Sequence, residues 1–192
     1  MALSKIDIEN MITGEVNVAN GGTGLSSGTS GQFLKFTGST TLASAADNAG
    51  KVLQTVNTLS SINTSMNSTS FADTGLSRTI TCSATTSKVF GIVTMPFGFN
   101  NNNQTQSSYG EFQILRDSTS VQKAFSGHAN TGSNDNFANY MNVSIAFFDA
   151  PSSTSELTYK LQVRQQSGTD GNIGIGVGTP NGTSMILMEV GA

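Results

Sequence analysis

From about residue 52 onward, apolar and polar side chains alternate in short runs, and this pattern limits what the chain can fold into. In residues 157–164, every second side chain is apolar, and Lys160, Gln162 and Arg164 stand between or beside them. Successive side chains of a strand point to opposite faces, so the alternation predicts strands that are buried on one face. The predicted strands cover residues 52–58, 76–84, 88–99, 109–116, 120–126, 140–149, 157–165, 172–178 and 184–190.

Strands this short, separated by turn-rich segments, predict an all-β chain folded as an antiparallel β-sandwich of the jelly-roll type. Only 11% of the residues are charged, against roughly 25% in an average globular protein. Ser, Thr, Asn, Gln and Gly supply the polarity instead. Such a surface has few long side chains to immobilise, so close packing of many copies costs little side-chain entropy. Disordered chains share this composition, but hydrophobic residues make up 36% of the chain and favour a folded domain.

The segment at 18–25 joins an apolar N-terminal peptide to a Gly/Ser/Thr-rich stretch and reads Val18-Ala19-Asn20-Gly21-Gly22-Thr23-Gly24-Leu25. It resembles the fibre, decoration and other appendage proteins of tailed bacteriophages, where Ala-Asn-Gly-Gly-Thr-Gly commonly joins an anchoring N-terminus to a β-rich body. Segments 158–164 and 184–190 resemble those proteins as well. The resemblance implies a virion surface protein. No apolar signal-peptide core follows Met1, so we expect synthesis in the host cytoplasm.

Residues 1–50 are predicted to form an extended anchoring arm with a Gly/Ser/Thr-rich linker, and residues 51–192 a β-sandwich knob. A weak repeat spans the junction, since Gly31-Gln32-Phe33-Leu34-Lys35 returns as Gly50-Lys51-Val52-Leu53-Gln54. The start of the arm is apolar without a local partner. Its apolar side chains either pack on the chain's own body or, as the resemblance favours, dock on the major capsid protein: Leu3, Ile6, Ile8, Met11 and Ile12.

Two predicted strands indicate association between copies. In 172–178 one face is almost entirely glycine, which is useful where another backbone or a bulky side chain approaches closely. Residues 185–190 of the last strand are apolar on both faces except for Glu189, so a partner is expected on the face that does not line the core. Appendages with jelly-roll heads are usually trimers, so the resemblance implies a homotrimer. The residues predicted at its interface are Gly174, Gly176, Met185 and Leu187.

The residue types argue against several kinds of chemistry. One histidine and one cysteine cannot form a zinc site, and we expect no cofactor and no metal. Nine basic residues are scattered without a cluster, so neither nucleic acid nor a membrane surface is an expected partner. A glycan-cleaving spike would need two suitably spaced carboxylates, and the resemblance associates that activity with longer β-helical chains. We therefore expect no enzymatic activity, and Cys82 is predicted to be a buried small apolar residue.

Two long polar stretches between strands are candidates for receptor contact, because amides donate and accept hydrogen bonds and an aromatic ring stacks on a sugar face. Their candidate residues are Asn101, Gln104, Tyr109, Asn134 and Phe137. Solvated loops have the same composition. The leading hypothesis is a capsid decoration (cement) or head-fibre protein whose arm docks on the major capsid protein and stabilises the shell. The alternative is a receptor-binding tail-fibre or tail-tip protein, with tail proteins and a host surface glycan as partners.

Overall fold

The computed structural model describes residues 23, 28–39, 41–46, 50–101, 108–128, 137–167, 171–176 and 182–192. Within these residues the chain forms strands and no helix, so the all-β prediction is confirmed for the described part. In chain order the strands are β1 (Phe33–Phe36), β2 (Leu42–Ala45), β3 (Val52–Ser60), β4 (Thr64–Met66), β5 (Ala72–Thr81), β6 (Lys88–Asn101), β7 (Ser108–Arg116), β8 (Thr119–His128), β9 (Phe137–Asp149), β10 (Glu156–Ser167), β11 (Gly171–Ile175) and β12 (Thr183–Val190).

The chain divides into two units, Met1–Asn48 and Ala49–Ala192. In the described residues of the first unit, β1 and β2 pair as an antiparallel hairpin, with Phe33 opposite Ala45 and Phe36 opposite Leu42. All four residues of β1 are exposed, so this described hairpin has no core of its own. The chain thus folds back on itself between residues 33 and 45, and the anchoring arm predicted for residues 1–50 stays a prediction.

The second unit contains two antiparallel sheets. Sheet I has the strand order β9–β6–β12–β3, and β11 and β4 continue it past the end of β12. Strand β6 is 14 residues long, so one of its edges pairs first with β12 and then with β11, while its other edge pairs with β9. Sheet II has the order β5–β10–β7–β8.

The order of the eight longest strands identifies the topology. When these eight strands are numbered 1 to 8 along the chain, their order across sheet I is 1-8-3-6 and their order across sheet II is 2-7-4-5. Strands that alternate between two sheets in this order form a jelly roll, which is built from two Greek keys. The antiparallel sandwich predicted from the alternating pattern is therefore present, with jelly-roll connectivity.

The core lies between the inner faces of the two sheets. Phe97 of sheet I packs edge-on against Phe112 of sheet II, with ring centroids 4.8 Å apart. Farther along the sandwich, Phe147 stacks on Tyr159 across the same gap at 5.5 Å. Along β12 buried and half-buried residues alternate without a break, as a strand with one face on the core requires.

Two carboxylates are built into one end of this core. Val89 of β6 has two register partners, which are Asp149 on the neighbouring strand β9 and Glu189 on the neighbouring strand β12. Asp149 Oδ2 accepts hydrogen bonds from Arg116 Nη1 and from the Tyr159 hydroxyl, each at 2.6 Å. Burial, followed by the bond to Asp149, raises the pKa of Tyr159. Because Arg116 and Tyr159 belong to sheet II, this cluster ties the two sheets together.

Candidate functional site

The outer face of sheet I is apolar over its central strands. In one row across the sheet, Phe148 of β9 lies beside Phe90 of β6, which lies beside Met188 of β12. In the next row, Ile92 and Ile186 are register partners. Phe148 is 61% exposed, and the others are half-buried. We call this surface the apolar face and define it as Leu59, Phe90, Ile92, Ala146, Phe148, Ile186, Met188 and Val190.

Charge is nearly absent from this face. Among the described residues of β3, β6, β9 and β12 that point outward, only Lys88 is charged, and it stands in the end row beside Val190. Antiparallel sheets that face water are normally polar on that side. The outer face of sheet II follows that rule, since Lys160 and Gln162 of β10 both contact Asp73 of β5 there. The contrast within one domain makes the apolar face a candidate association surface.

Two residues predicted at a subunit interface point into the core and not toward the apolar face. Met185 and Leu187 are fully buried in the chain's own core, while Ile186 and Met188 between them point outward. The prediction therefore assigned the wrong face of β12 to the partner. The reason is physical: both faces are apolar, so alternation alone does not tell which one lines the core. Gln54 donates to Glu189 inside the sandwich, which fixes the odd-numbered residues of β12 as inward.

Gly176, one of the two glycines predicted at the interface, is approached closely by another part of the same chain. Gly174 is buried in sheet I, where its register partners are Gly98 and Ser65. A Cβ at Gly98 would lie 2.7 Å from the Tyr140 ring, so that ring covers the glycine-rich part of the sheet. A Cβ at Gly176 would overlap the backbone carbonyl of Ile62.

Gly176 also has a φ of 72°, so Gly176→Ala combines backbone strain with a collision. We expect it to lower the free energy of unfolding by about 2–4 kcal/mol, from overpacking and left-handed strain together. Gly50→Ala is the matched control, because Gly50 has a φ of 70° with nothing within 4 Å of its Cβ position. In that control variant the free energy of unfolding should fall by only about 1 kcal/mol. Urea unfolding followed by circular dichroism measures both, and equal losses would contradict the collision.

An aromatic stack lies on the outer face of sheet II. Tyr109 of β7 stacks on Phe125 of β8, with centroids 5.2 Å apart and planes inclined by 25°. Gly127, the register partner of Tyr109, allows this arrangement, since a Cβ there would overlap the tyrosine ring. Phe125 remains 56% exposed. Tyr109 is thus one receptor-contact candidate that the structure places beside a second exposed ring.

A cluster of charges adjoins this stack. Arg164 Nε donates to Glu111 Oε2 at 2.8 Å, and Lys123 Nζ lies 3.8 Å from Glu111 Oε1. Both cations stand over the ring of Phe71, with Arg164 Cζ at 4.6 Å and Lys123 Nζ at 5.4 Å from its centroid. A shallow pocket of about 460 Å³ opens here. Its lining residues are Glu111, Lys123, Ala124, Phe125 and Gln166.

Other predicted contact residues are placed only in part. Asn101 and Phe137 are register partners at the ends of β6 and β9. Gln104 and Asn134 lie outside the described residues, as do the arm residues Leu3, Ile6, Ile8, Met11 and Ile12. Their roles in receptor contact and capsid docking stay predictions.

Two features of the described residues concern metal binding and thiol reactivity. No three His, Cys, Asp or Glu residues come close enough there to hold a metal ion. Cys82 is buried, as predicted. Burial, followed by the negative charges of Glu189 and Asp149, raises the pKa of its thiol, which disfavours the reactive thiolate. Among the described residues there is also no helix of the length and hydropathy that a membrane span requires.

No family model and no curated protein matches the chain. Among solved structures, it is similar to the structure of the infectious bursal disease virus Gt strain, with 15% identity and a TM-score of 0.34 over 81% of this chain and 41% of that one. It is also similar to the VP2 subviral particle of that virus, with 14% identity and a TM-score of 0.29 over 81% and 41%. The chain thus spans about two fifths of the length of these structures. Alignments with such scores do not establish a common fold.

Proposed function

We propose that this protein is a structural component of a virion, of the capsid decoration (cement) or head-fibre class. Its jelly-roll body associates with further copies of the chain through the apolar face, as a homotrimer. Residues 1–50 dock on the major capsid protein and stabilise the shell. The apolar face is the observation that carries the proposal, and the sequence resemblance to phage appendages supplies the setting.

Assembly is the simplest use of such a face. Its central residues, Phe90, Ile92, Ile186 and Met188, lie in two adjacent rows of the sheet, so they form one continuous surface. Three copies meeting about a threefold axis would enclose these surfaces in a shared apolar core. The one charged outward residue of β3, β6, β9 and β12 in the described part, Lys88, stands in the end row. No carboxylate or ammonium group is therefore desolvated at the centre of the face, where desolvating a charge would be costly.

The fold and composition are compatible with this role. Jelly rolls are found in viral capsid proteins and also in lectins and cupins, so topology by itself does not select a function. Glutamate, aspartate, lysine and arginine are scarce in the whole chain, and close packing on a particle therefore immobilises few long side chains. These features favour a structural role over catalysis.

Particles that lack this protein test the proposal. They should release DNA at a lower temperature than native particles and still adsorb to host cells, because the shell loses the apolar contacts made by the arms. Adding back the full chain should restore the release temperature, whereas adding a chain without residues 1–20 should not. Normal shell stability with failed adsorption would instead identify a tail protein. The copy number in native particles gives an independent measure, since a cement protein approaches that of the major capsid protein.

A further inference from the structure

The outer face of sheet II, on the other side of the sandwich from the apolar face, carries a pocket that has no part in the proposed assembly. Its floor is the Ala124 and Phe125 segment of β8, and Glu111, Lys123 and Gln166 surround it. An exposed aromatic ring beside a carboxylate, an ammonium group and an amide is a combination that matches a sugar, which has apolar ring faces and hydroxyl edges. We propose that this pocket binds an acidic saccharide, one whose sugar ring carries a carboxylate.

The aromatic ring is held in place before any ligand arrives. Phe125 stacks on Tyr109, and Tyr109 is accommodated only because residue 127 is glycine. The free side of Phe125 can therefore receive the apolar face of a sugar without first ordering a mobile side chain, and avoided ordering improves affinity. Phe125 is 56% exposed, so its ring is accessible to a ligand.

The polar groups are also fixed. Glu111 is held by Arg164 while its side chain remains 13% exposed, so its remaining lone pairs are suited to accept from sugar hydroxyls. The side chain of Lys123 is 54% exposed, and the Phe71 ring beneath it favours its position through a cation–π contact. Gln166 adds a group that both donates and accepts.

The balance of charge selects an acidic sugar over a neutral one. Glu111 contributes one negative charge, and Lys123 and Arg164 contribute two positive charges within one connected cluster. Arg164 donates to Glu111 at 2.8 Å, whereas Lys123 Nζ lies 3.8 Å from Glu111 and its side chain is 54% exposed. The ammonium group of Lys123 is therefore the one placed to pair with a ligand carboxylate. Too few cations are present for a nucleic-acid backbone, which is normally met by several phosphate contacts. This site is independent of the proposed assembly, because it lies on the other sheet.

Titration of the full-length protein with trigalacturonate, and separately with its methyl ester, tests the site. The two ligands differ only in their carboxylates. By isothermal calorimetry at low salt we expect saturable binding of the acid, with a Kd on the order of millimolar, at least about fivefold tighter than the ester and weakened by added salt. Phe125→Ala should weaken binding of the acid about tenfold, the loss of one aromatic stacking contact.

Lys123→Gln should bind the acid and the ester equally, because it removes the group that pairs with the carboxylate. Lys160→Gln is the control, since Lys160 lies on the same outer face but pairs with Asp73, and it should bind like the native protein. All three side chains are on the surface, and circular dichroism confirms that the variants are folded. Absence of saturable binding, equal binding of acid and ester by the native chain, or full binding by Phe125→Ala would each overturn the proposal.

Discussion

A lysine in place of Ile186 is expected to leave a folded monomer, whereas the native chain is proposed to form a trimer. Ile186 stands in the middle of the apolar face, between its register partners Ile92 and Asn57. In the single chain its side chain is half-buried and points away from the core, so a lysine there can extend into water. In the trimer the ammonium group would be desolvated without a partner, which costs several kcal/mol per ion. Sedimentation velocity separates the two states directly.

The control for this variant is Gln113→Lys. Gln113 has a similar exposure but lies on the outer face of sheet II, where charged side chains already occur, and its lysine variant should remain trimeric. A native chain that is monomeric at micromolar concentration, or an Ile186→Lys variant that remains trimeric, would contradict assembly through the apolar face. Circular dichroism shows whether the variant retains its strands.

Alternation along the chain was sufficient to find most strands of the sandwich. In β10 the apolar residues Leu157, Leu161 and Val163 line the core, as the pattern predicts. The same rule gave no signal for β1, β2 and β4, because strands of three or four residues are too short to show a period. For β12 the rule found the strand but not which of its faces lines the core. Met185 and Ile186 are both apolar, so only tertiary contacts decide which one points inward.

The weak repeat has a local structural counterpart. Gly31 and Gly50 both have positive φ values, 79° and 70°, and each stands two residues before a strand. A glycine adopts this conformation without steric cost, so both copies end a turn and start a strand. The two copies of the repeat thus both precede strands, although these strands are used differently: β1 is exposed on every residue, whereas β3 joins sheet I.

The sequence patterns did not predict which distant segments contact each other. Tyr109 and Phe125 meet because β7 and β8 pair in one particular register. The alternation of Lys123 and Phe125 around Ala124 was visible, yet nothing in it indicates that Arg164 and Glu111 lie beside them. A one-residue change of register would move each of these side chains to the opposite face. The candidate site therefore follows from the pairing of strands and not from any motif.

Glu189→Gln is expected to be the most destabilising single substitution of a polar residue in the jelly roll. Glu189 is 1% exposed. Its Oε1 accepts from the Ser83 amide at 2.7 Å, the Ser83 hydroxyl at 2.6 Å and the Ser87 hydroxyl at 2.7 Å. Its Oε2 accepts from Gln54 Nε2 at 2.6 Å. A glutamine has one acceptor oxygen, so its NH2 group in the place of Oε2 would face the donor Gln54 Nε2, and the Ser83 and Ser87 donors would lose a charged acceptor. We expect a loss of about 3–5 kcal/mol at pH 7, measured by urea unfolding at a fixed protein concentration.

The pH dependence of stability separates this charge effect from a simple packing defect. Burial alone would raise the pKa of Glu189, but the hydrogen bonds from Ser83, Gln54 and Ser87 outweigh it and lower the pKa from 4.5 to about 2. The folded state therefore binds this proton less readily than the unfolded state. The resulting stabilisation, on the order of 3 kcal/mol, is complete above about pH 4.5 and is lost as the pH falls toward 2.

The native protein should accordingly lose stability steeply through that interval, and Glu189→Gln should lose much less there, because it has no proton to take up at this position. Glu156→Gln is the matched control. Glu156 is exposed at the start of β10, so its variant should follow the native curve and differ at pH 7 by no more than about 0.5 kcal/mol. A Glu189→Gln variant with the native acid dependence would show that another carboxylate governs acid stability. Because Ser83 and Ser87 precede β6 while Glu189 lies in β12, the outcome measures how strongly one ionised side chain ties the first half of the jelly roll to its last strand.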